Sequence, residues 1–274
     1  MSGLTPEPFA AEVTKACCAD LYASDWARLV LGDSLHPGGL ALTERLGNLL
    51  GIDAESRVLD LAAGRGASAL HLARVYGCHV LGLDYSADNV AQASQAARDA
   101  GLADRVEFLQ ADAEQLGGIA DESFDAVLCD CAYCTFPNKL AAAAEIFRVL
   151  APGGHFGLSD LTRTDTLPTD LEGLLAWIAC IADALPVEAY ASQFNGAGLR
   201  VERIEKHDEA LAELVHQIRG RVVGAELLTK LHRLDAPHPP LDFRQATVLA
   251  RRAADAVRDG TLGYTLMIAS KPGR

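Results

Sequence analysis

Short apolar segments alternate along the chain with longer segments in which apolar residues recur at helical spacing. The predicted strands occupy 57–61, 78–86, the first half of 105–116, 124–130, 155–161, 198–207 and 262–272. The predicted helices occupy 68–77, 86–102, 139–154, 170–195 and 209–259, the last broken by a proline-rich stretch at 235–240. Strands that alternate with helices indicate an α/β fold with a parallel sheet. The strands are almost wholly apolar, as expected when helices cover both faces of the sheet.

The same pattern suggests how the chain is organised. Residues 1–50 are predicted to form a helical extension or lid, and residues 51–274 form the domain that contains the sheet. A helical insertion at about 209–259 precedes the last strand. Its proline-rich stretch is predicted to be a loop within the insertion.

Composition and charge exclude several classes of protein. Of 274 residues, 50% are hydrophobic and 22% are charged, which excludes wholesale disorder. The net charge of −13, without a basic block, makes nucleic acid an unexpected partner. No apolar run reaches the roughly 18 residues that span a bilayer, so no membrane association is expected. The N-terminus lacks the charged and apolar regions of a signal peptide, and we therefore expect a cytoplasmic protein.

Acidic residues end three successive predicted strands. The small-residue loop at 60–66 starts with an acid, follows the first strand and opens a helix. Asp84 ends the second strand about 20 residues past this loop, where an acid can bind both ribose hydroxyls. Asp112, followed by Ala113, ends the third strand, where a carboxylate can reach an adenine amino group. The loop has no phosphate-binding lysine, so the pattern predicts a nucleoside without a phosphate tail.

These residues resemble the class I S-adenosylmethionine-dependent methyltransferases, whose loop reads acid-x-Gly-x-Gly-x-Gly. The chain has Asp60, Gly64 and Gly66 at the matching positions, with Ala62 in place of the first glycine. Segments further along match the family's fourth strand, the following helix and the fifth strand, so the resemblance covers residues 55–162.

The resemblance implies a Rossmann-like fold whose seven-stranded sheet is mostly parallel with an antiparallel last strand. It also implies an enzyme that uses S-adenosylmethionine as its cofactor. The residues it assigns to cofactor binding are Asp60, Ala62, Gly64, Gly66, Asp84, Tyr85, Asp112, Ala113, Cys129 and Tyr22.

The cysteines carry a second signal. The chain has seven, Cys17, Cys18, Cys78, Cys129, Cys131, Cys134 and Cys180, and in a reducing compartment we expect free thiols. Cys78 and Cys129 lie in predicted strands and are expected in the core. Cys131 and Cys134 have the spacing of a redox pair or of half a zinc site, but a second zinc pair is missing.

The segments 130–132 and 136–139 resemble those of arsenite methyltransferases, which hold trivalent arsenic with cysteine thiolates. The cysteines that this resemblance makes catalytic are Cys131, Cys180, Cys18 and Cys17, with no choice between the last two. It places no resident metal, and it implies glutathione or thioredoxin as a thiol donor. The chemistry is coherent because As(III) is soft and prefers thiolates. Arsenic attacks through a lone pair, so this reaction needs no general base.

Two other functions stay open. The protein can be a methyltransferase for a small organic oxygen, nitrogen or carbon nucleophile, as its resemblance to quinone and small-amine methyltransferases suggests. It can also be a non-catalytic protein that binds a metalloid or the cofactor, although such a protein needs no intact methyl-donor site. His36, a single histidine before a turn, is expected to be a surface or turn residue, with pocket lining as the alternative.

Overall fold

A seven-stranded sheet forms the centre of the molecule. A computed structural model describes residues 15, 19, 22, 29–30, 32, 36–164, 181, 183–231 and 242–274. The strands are β1 (Arg57–Leu61), β2 (His79–Asp84), β3 (Val106–Gln110), β4 (Phe124–Asp130), β5 (Leu150–Arg163), β6 (Arg200–Lys206) and β7 (Leu262–Ser270). Their order is β3-β2-β1-β4-β5-β7-β6. Only β7 runs antiparallel to its neighbours, β5 and β6, as predicted.

The strand order reverses at β1, which pairs in parallel with β2 on one side and β4 on the other. The chain first builds β2 and β3 on one side and then β4 and β5 on the other. In open α/β sheets, a crevice for ligands forms beyond the carboxyl ends of the strands at such a reversal. This crevice is therefore the first place to look for a site.

Helices cover both faces of the sheet. The described helices are α1 (Gly39–Leu50), α2 (Ala67–Tyr76), α3 (Ala87–Asp99), α4 (Lys139–Val149), α5 (Val187–Gly196), α6 (Asp208–Lys230) and α7 (Phe243–Arg258). Helices α1, α2, α3, α6 and α7 contribute to one apolar cluster, and α4 and α5 contribute to another. The sheet thus lies between two layers of helices, which explains its nearly continuous apolar strands. No described helix is long and apolar enough to cross a membrane.

Helix α1 packs directly on the sheet. Its Leu42, Leu46 and Leu50 are buried in the first cluster. Gly157 of β5 allows this approach, because an added Cβ there would lie 2.7 Å from Leu46 Cδ1. The predicted division at residue 50 stays a prediction, but 39–50 shares its core with the sheet. This packing brings the residues before α1 towards the carboxyl edge of the strands.

One predicted boundary was wrong, and one predicted helix is interrupted. The helix predicted over 139–154, with Pro152, Gly153 and Gly154 as its stop, already ends at Val149, because Leu150 is extended and pairs with Phe124 of β4. Pro152 also disfavours helical geometry at the residue before it. Strand β5 consequently has 14 residues and is twice as long as predicted. In the predicted helix at 170–195, residues 165–180 and 182 lie outside the described part, and α5 begins at Val187.

Candidate active site

A cavity lies beyond the carboxyl ends of β1, β2, β3 and β4. Most of the predicted cofactor residues line it, namely Tyr22, Asp60, Ala62, Gly64, Asp84, Tyr85, Asp112 and Ala113. Cys131, predicted as catalytic, lines it as well. The ends of adjacent parallel strands meet at one edge of the sheet, and this explains why residues far apart in sequence share one cavity.

The loop after β1 adopts left-handed backbone geometry, with φ of 56° at Ala62, 55° at Gly64 and 82° at Gly66. At Gly64 an added Cβ would meet no described atom within 4 Å, whereas at Gly66 it would lie 2.5 Å from the ring of Phe108. Gly64 is therefore open towards the cavity, and Gly66 is required by packing. Gly66 does not line the cavity among the described residues, so its predicted contact with the cofactor is not supported.

Asp84 is fixed in place at the end of β2. Its Oδ2 accepts a hydrogen bond of 2.8 Å from the Gly64 amide, and its Oδ1 accepts from the Ser86 amide and from Asn89 Nδ2. Burial raises the pKa of Asp84, and these three hydrogen bonds act in the opposite direction. The carboxylate thus connects the glycine loop to the start of α3 and has a defined orientation towards the cavity.

Asp60 is the most deeply buried acid of the cavity, with 1% of its surface exposed. Burial raises its pKa well above the ordinary value, and the negative charges of Asp130 and Asp84 raise it further. Its Oδ2 has no hydrogen-bond partner among the described residues. A buried carboxylate in this state gains from a positively charged ligand, which would supply the missing partner.

Lys15 brings the N-terminal part of the chain into the same site. Its Nζ lies 2.6 Å from Asp112 Oδ2 and also contacts Glu114. Burial lowers the pKa of Lys15, but its hydrogen bonds to Asp112 and Glu114 outweigh this effect and raise it. Sequence analysis did not single out Lys15, because nothing local to residue 15 indicates a partner almost a hundred residues away.

The cysteines separate into core and cavity residues. Cys131 borders the cavity with a positive φ of 54°, and its amide donates to the Ser159 carbonyl at 2.6 Å. Cys78, Cys129 and Cys134 are fully buried. Burial raises the pKa of the Cys78 thiol to about 11, and burial also raises the pKa of the Cys129 thiol. Cys17, Cys18 and Cys180 lie outside the described residues.

Cys129 is buried in the core, which was one of the two expectations for this residue. Cys129 packs in the second apolar cluster, on the side of α4 and α5, and it does not line the described cavity. Its predicted contact with the cofactor is therefore not supported. Cys134 is in the core while Cys131 faces the cavity, and the described residues contain no group of three or more metal-binding side chains. A zinc site built on this pair has no support.

His36 and Asp130 complete the cavity wall. His36 lies at the turn before α1, as one expectation had it, but it is only 5% exposed and lines the cavity, so it is not a surface residue. Asp130, at the end of β4, accepts hydrogen bonds from the hydroxyls of Thr43, Ser68 and Ser159. Sequence analysis did not assign Asp130 or these hydroxyls, since they come from four separate elements.

Comparison with known proteins identifies the family. A family model described as "Methyltransferase domain" matches residues 59–158. Methyltransferase GfsG from Streptomyces halstedii is 36% identical over 243 residues, which are 88% of this chain and 83% of that protein. The chain belongs to the S-adenosylmethionine-dependent methyltransferases. The present chain is also 27% identical over 269 residues to the 27-O-demethylrifamycin SV methyltransferase of Amycolatopsis mediterranei. The match covers 93% of this chain and 94% of that enzyme.

Two solved structures share the fold of the methyltransferase. A phosphoethanolamine N-methyltransferase from Haemonchus contortus, in complex with phosphomonomethylethanolamine and S-adenosylhomocysteine, has a TM-score of 0.77 at 19% identity and covers 97% of this chain and 61% of that chain. A geranyl diphosphate C-methyltransferase from Streptomyces coelicolor has a TM-score of 0.72 at 16% identity and covers 97% and 100%. Matches to sterol 24-C-methyltransferases of Gibberella zeae span only 41% of those enzymes.

The methyl donor of the enzyme is S-adenosylmethionine, and the residues of the cavity fit this molecule. Backbone at Gly64 leaves space for close approach, and Asp84 presents a fixed carboxylate at the end of β2. The unpartnered oxygen of Asp60 suits a ligand that carries positive charge. The resemblance to class I methyltransferases is thereby confirmed.

Proposed function

We propose that the cavity binds S-adenosylmethionine along the ends of β1, β2 and β3 and that the acceptor enters beside β4. Asp84 would accept hydrogen bonds from the ribose hydroxyls, and Asp112 with Ala113 would border the adenine. The methionine part would lie over Ala62 and Gly64. Acids at the ends of four adjacent strands around one cavity, Asp60, Asp84, Asp112 and Asp130, are the observation that carries this proposal.

Tyr85 and Tyr22 also line the cavity and would cover the nucleoside from two sides. Asp60 would compensate the positive charges of the bound donor, because its unpartnered carboxylate oxygen is buried near that end of the cavity. Gly66 and Cys129 would act through packing alone. The proposed cofactor contacts are thus the predicted residues that line the cavity, without Gly66 and Cys129.

The proposed acceptor is a small organic molecule. The two relatives that align with most of this chain, GfsG and the rifamycin enzyme, support this choice. When bound, the cofactor supplies an electrophilic methyl group on a sulfonium, and the enzyme's own residues orient the acceptor for an in-line displacement. Placing two reactants in register removes much of the entropic barrier to such a reaction.

Arsenite methylation is a second candidate, favoured by the position of Cys131 at the cavity. A thiolate there would bind As(III) next to the methyl donor. The other thiols that this reaction would use, Cys180 and Cys17 or Cys18, lie outside the described residues. The two candidates therefore differ in one testable property, the requirement for the Cys131 thiol.

Incubation with methyl-labelled S-adenosylmethionine and a panel of acceptors distinguishes the candidates. The panel contains 27-O-demethylrifamycin SV and simple phenols and alcohols as hydroxyl acceptors, phosphomonomethylethanolamine as an amine, geranyl diphosphate as a carbon acceptor, and arsenite with glutathione or thioredoxin. We expect label in an organic product. Label only in methylarsenicals would overturn the proposal in favour of the second candidate. No transfer to any acceptor by a protein that binds the donor would favour a non-catalytic binding protein.

The matched variants are Cys131→Ser and Cys134→Ser. If the acceptor is organic, Cys131→Ser should keep turnover within a few fold, since the hydroxyl has nearly the volume of the thiol. If the acceptor is arsenite, the same variant should lose turnover, because a soft ligand is replaced by a hard one. Cys134→Ser, buried in the core, should lower stability without a selective effect on either acceptor.

A further inference from the structure

His36 occupies a specific position at the cavity. It lies just before α1, and its Nε2 is 3.9 Å from Asp130 Oδ2 and 3.4 Å from Thr43 Oγ1. Its Nδ1 lies 3.2 Å from the carbonyl oxygen of Pro37. A backbone carbonyl at this nitrogen favours the tautomer with the proton on Nδ1. The lone pair of the neutral ring then lies on Nε2, the nitrogen that faces Asp130.

Asp130 is held in place as an acceptor of hydrogen bonds from three hydroxyl groups. Its Oδ2 accepts from Thr43 at 3.0 Å and from Ser68 at 2.8 Å, and its Oδ1 accepts from Ser159 at 2.8 Å. Ser159 Oγ also lies 2.9 Å from the hydroxyl of the buried Tyr264. Hydroxyl donors on both oxygens fix the carboxylate and stabilise its charge. The fixed negative charge lies beside the ring of His36.

The backbone next to this pair is unusual. Cys131, which follows Asp130, has a φ of 54°, and Ala62 on the neighbouring strand end has a φ of 56°. Both residues line the cavity. Left-handed geometry in residues other than glycine costs free energy and tends to occur at functional sites. Here the two left-handed residues lie where the loop after β1 is next to the carboxyl end of β4.

We propose that His36 is the general base of the reaction and that the acceptor is consequently an alcohol or a phenol. This inference rests on the proposed methyl transfer to a small organic molecule and names its substrate class. The 3.9 Å between His36 Nε2 and Asp130 Oδ2 is longer than a direct hydrogen bond. Because His36 lines the cavity, an acceptor hydroxyl whose oxygen lies about 2.8 Å from Nε2 can donate its proton to that nitrogen.

The step balances without another reactant. The acceptor's O–H bond breaks and its proton goes to His36 Nε2, while the oxygen electron pair forms the new O–CH₃ bond. The methyl–sulfur bond breaks, and its electron pair stays on sulfur to give S-adenosylhomocysteine. Asp130 stabilises the imidazolium that forms, and the proton passes to solvent before the next turnover. Thiol-bound arsenite has no such proton to remove.

His71 provides a matched control, because it is a second histidine beside a carboxylate. Its Nε2 lies 3.3 Å from Glu44 Oε2 on the surface side of α1 and α2, and it does not line the described cavity. A His71→Gln variant therefore makes the same chemical change in a histidine–carboxylate pair away from the proposed base.

The experiment compares His36→Gln and His71→Gln with whichever hydroxyl compound of the panel is methylated. We expect His36→Gln to lower kcat by 100-fold or more, in line with the usual contribution of a general base. Its calorimetric affinity for S-adenosylhomocysteine should stay within threefold of wild type. His71→Gln should keep kcat within twofold. Added imidazole should restore part of the activity of His36→Ala, which a merely structural role would not predict.

Two results would overturn the inference. One is a His36→Gln enzyme whose kcat on the hydroxyl acceptor stays within threefold of wild type. The other is methylation of the amine, the carbon acceptor or arsenite while every hydroxyl compound is left unchanged. Either result leaves the methyltransferase assignment intact. Failure of the wild-type protein to bind S-adenosylmethionine or S-adenosylhomocysteine would instead contradict the proposed function itself.

Discussion

Gly64 and Gly66 lie two residues apart in one loop, and the structure predicts opposite consequences for the same substitution. Both have positive φ, so alanine at either position costs roughly 1–2 kcal/mol of backbone strain. At Gly66 the new methyl would also lie 2.5 Å from Phe108 Cζ. Phe108 cannot move away easily, because its ring also fills the space of the missing side chain at Gly82. Overpacking of this kind adds roughly 1–3 kcal/mol.

We therefore expect Gly66→Ala to lose about 2–5 kcal/mol of unfolding free energy, the sum of strain and overpacking. Gly64→Ala should lose only about 1–2 kcal/mol, because no described atom lies within 4 Å of its Cβ. Binding should show the reverse order. The methyl of Gly64→Ala enters the cavity, so we expect at least tenfold weaker affinity for S-adenosylmethionine, whereas Gly66→Ala should stay within threefold.

Urea denaturation measures the first pair of values and isothermal titration calorimetry the second. Ligand-induced stabilisation gives an independent check. At a ligand concentration of 100 times the wild-type Kd, wild type gains about 2.7 kcal/mol and a variant with tenfold weaker binding about 1.4 kcal/mol. Phe108→Leu should recover part of the stability lost in Gly66→Ala. Equal stability losses, or unchanged affinity in Gly64→Ala, would refute the assignment of one glycine to the cavity and the other to packing.

Two further predictions concern buried groups. Burial raises the pKa of Asp60 above its ordinary value of 3.8. Between the unfolded and the folded pKa, the folded state therefore binds more protons than the unfolded state. The free energy of unfolding consequently falls as the pH rises through this range. Asp60→Asn should remove this pH dependence and raise the unfolding free energy of the ligand-free protein at neutral pH, while weakening S-adenosylmethionine binding. Denaturant titrations at two pH values test the change in stability and calorimetry tests the change in binding, and a less stable variant would contradict the reasoning. Cys131 should react with a maleimide faster than Cys134 in the folded protein and be protected by S-adenosylhomocysteine, as site-resolved mass spectrometry can measure; equal rates would show that Cys131 is not open to the cavity.

The sheet and the acids at its edge were predictable because both depend on local patterns. An apolar run that stops at an acid, as at Asp84, specifies a strand and a polar group at its carboxyl end. Parallel strands then bring those ends together whatever the loops between them do. This is why the sequence predicts that Asp60, Asp84 and Asp112 lie together, and all three line one cavity in the structure.

The core position of Cys129, one of the two expectations for this residue, follows from strand periodicity. Successive residues of a strand point to opposite faces, and Leu128 lies in the first apolar cluster while Cys129 lies in the second. Cys129 therefore packs against the α4 and α5 side. A family match at that position does not show that the side chain reaches the ligand.

The partnership of His36 with Asp130 could not be predicted from the sequence. It depends on α1 packing against β5 through Leu46 and Gly157, a contact between residues about a hundred positions apart. Nothing near His36 in the chain indicates that contact. The proposed acceptor side of the cavity is harder to infer than the proposed donor side for the same reason, since His36 and Asp130 come from separate elements.

The central claim is that the carboxylates at the strand ends form the binding site for S-adenosylmethionine. Calorimetric titration of S-adenosylhomocysteine into wild type, Asp84→Asn and Asp88→Asn tests it most directly. Asp88 is an exposed acid in the first turn of α3, outside the described cavity lining, and serves as the control. Loss of charge-assisted hydrogen bonds worth roughly 1.5–3 kcal/mol should weaken binding to Asp84→Asn by tenfold or more. Asp88→Asn should bind like wild type. Equal affinity for all three proteins, with Asp84→Asn still folded, would contradict the account.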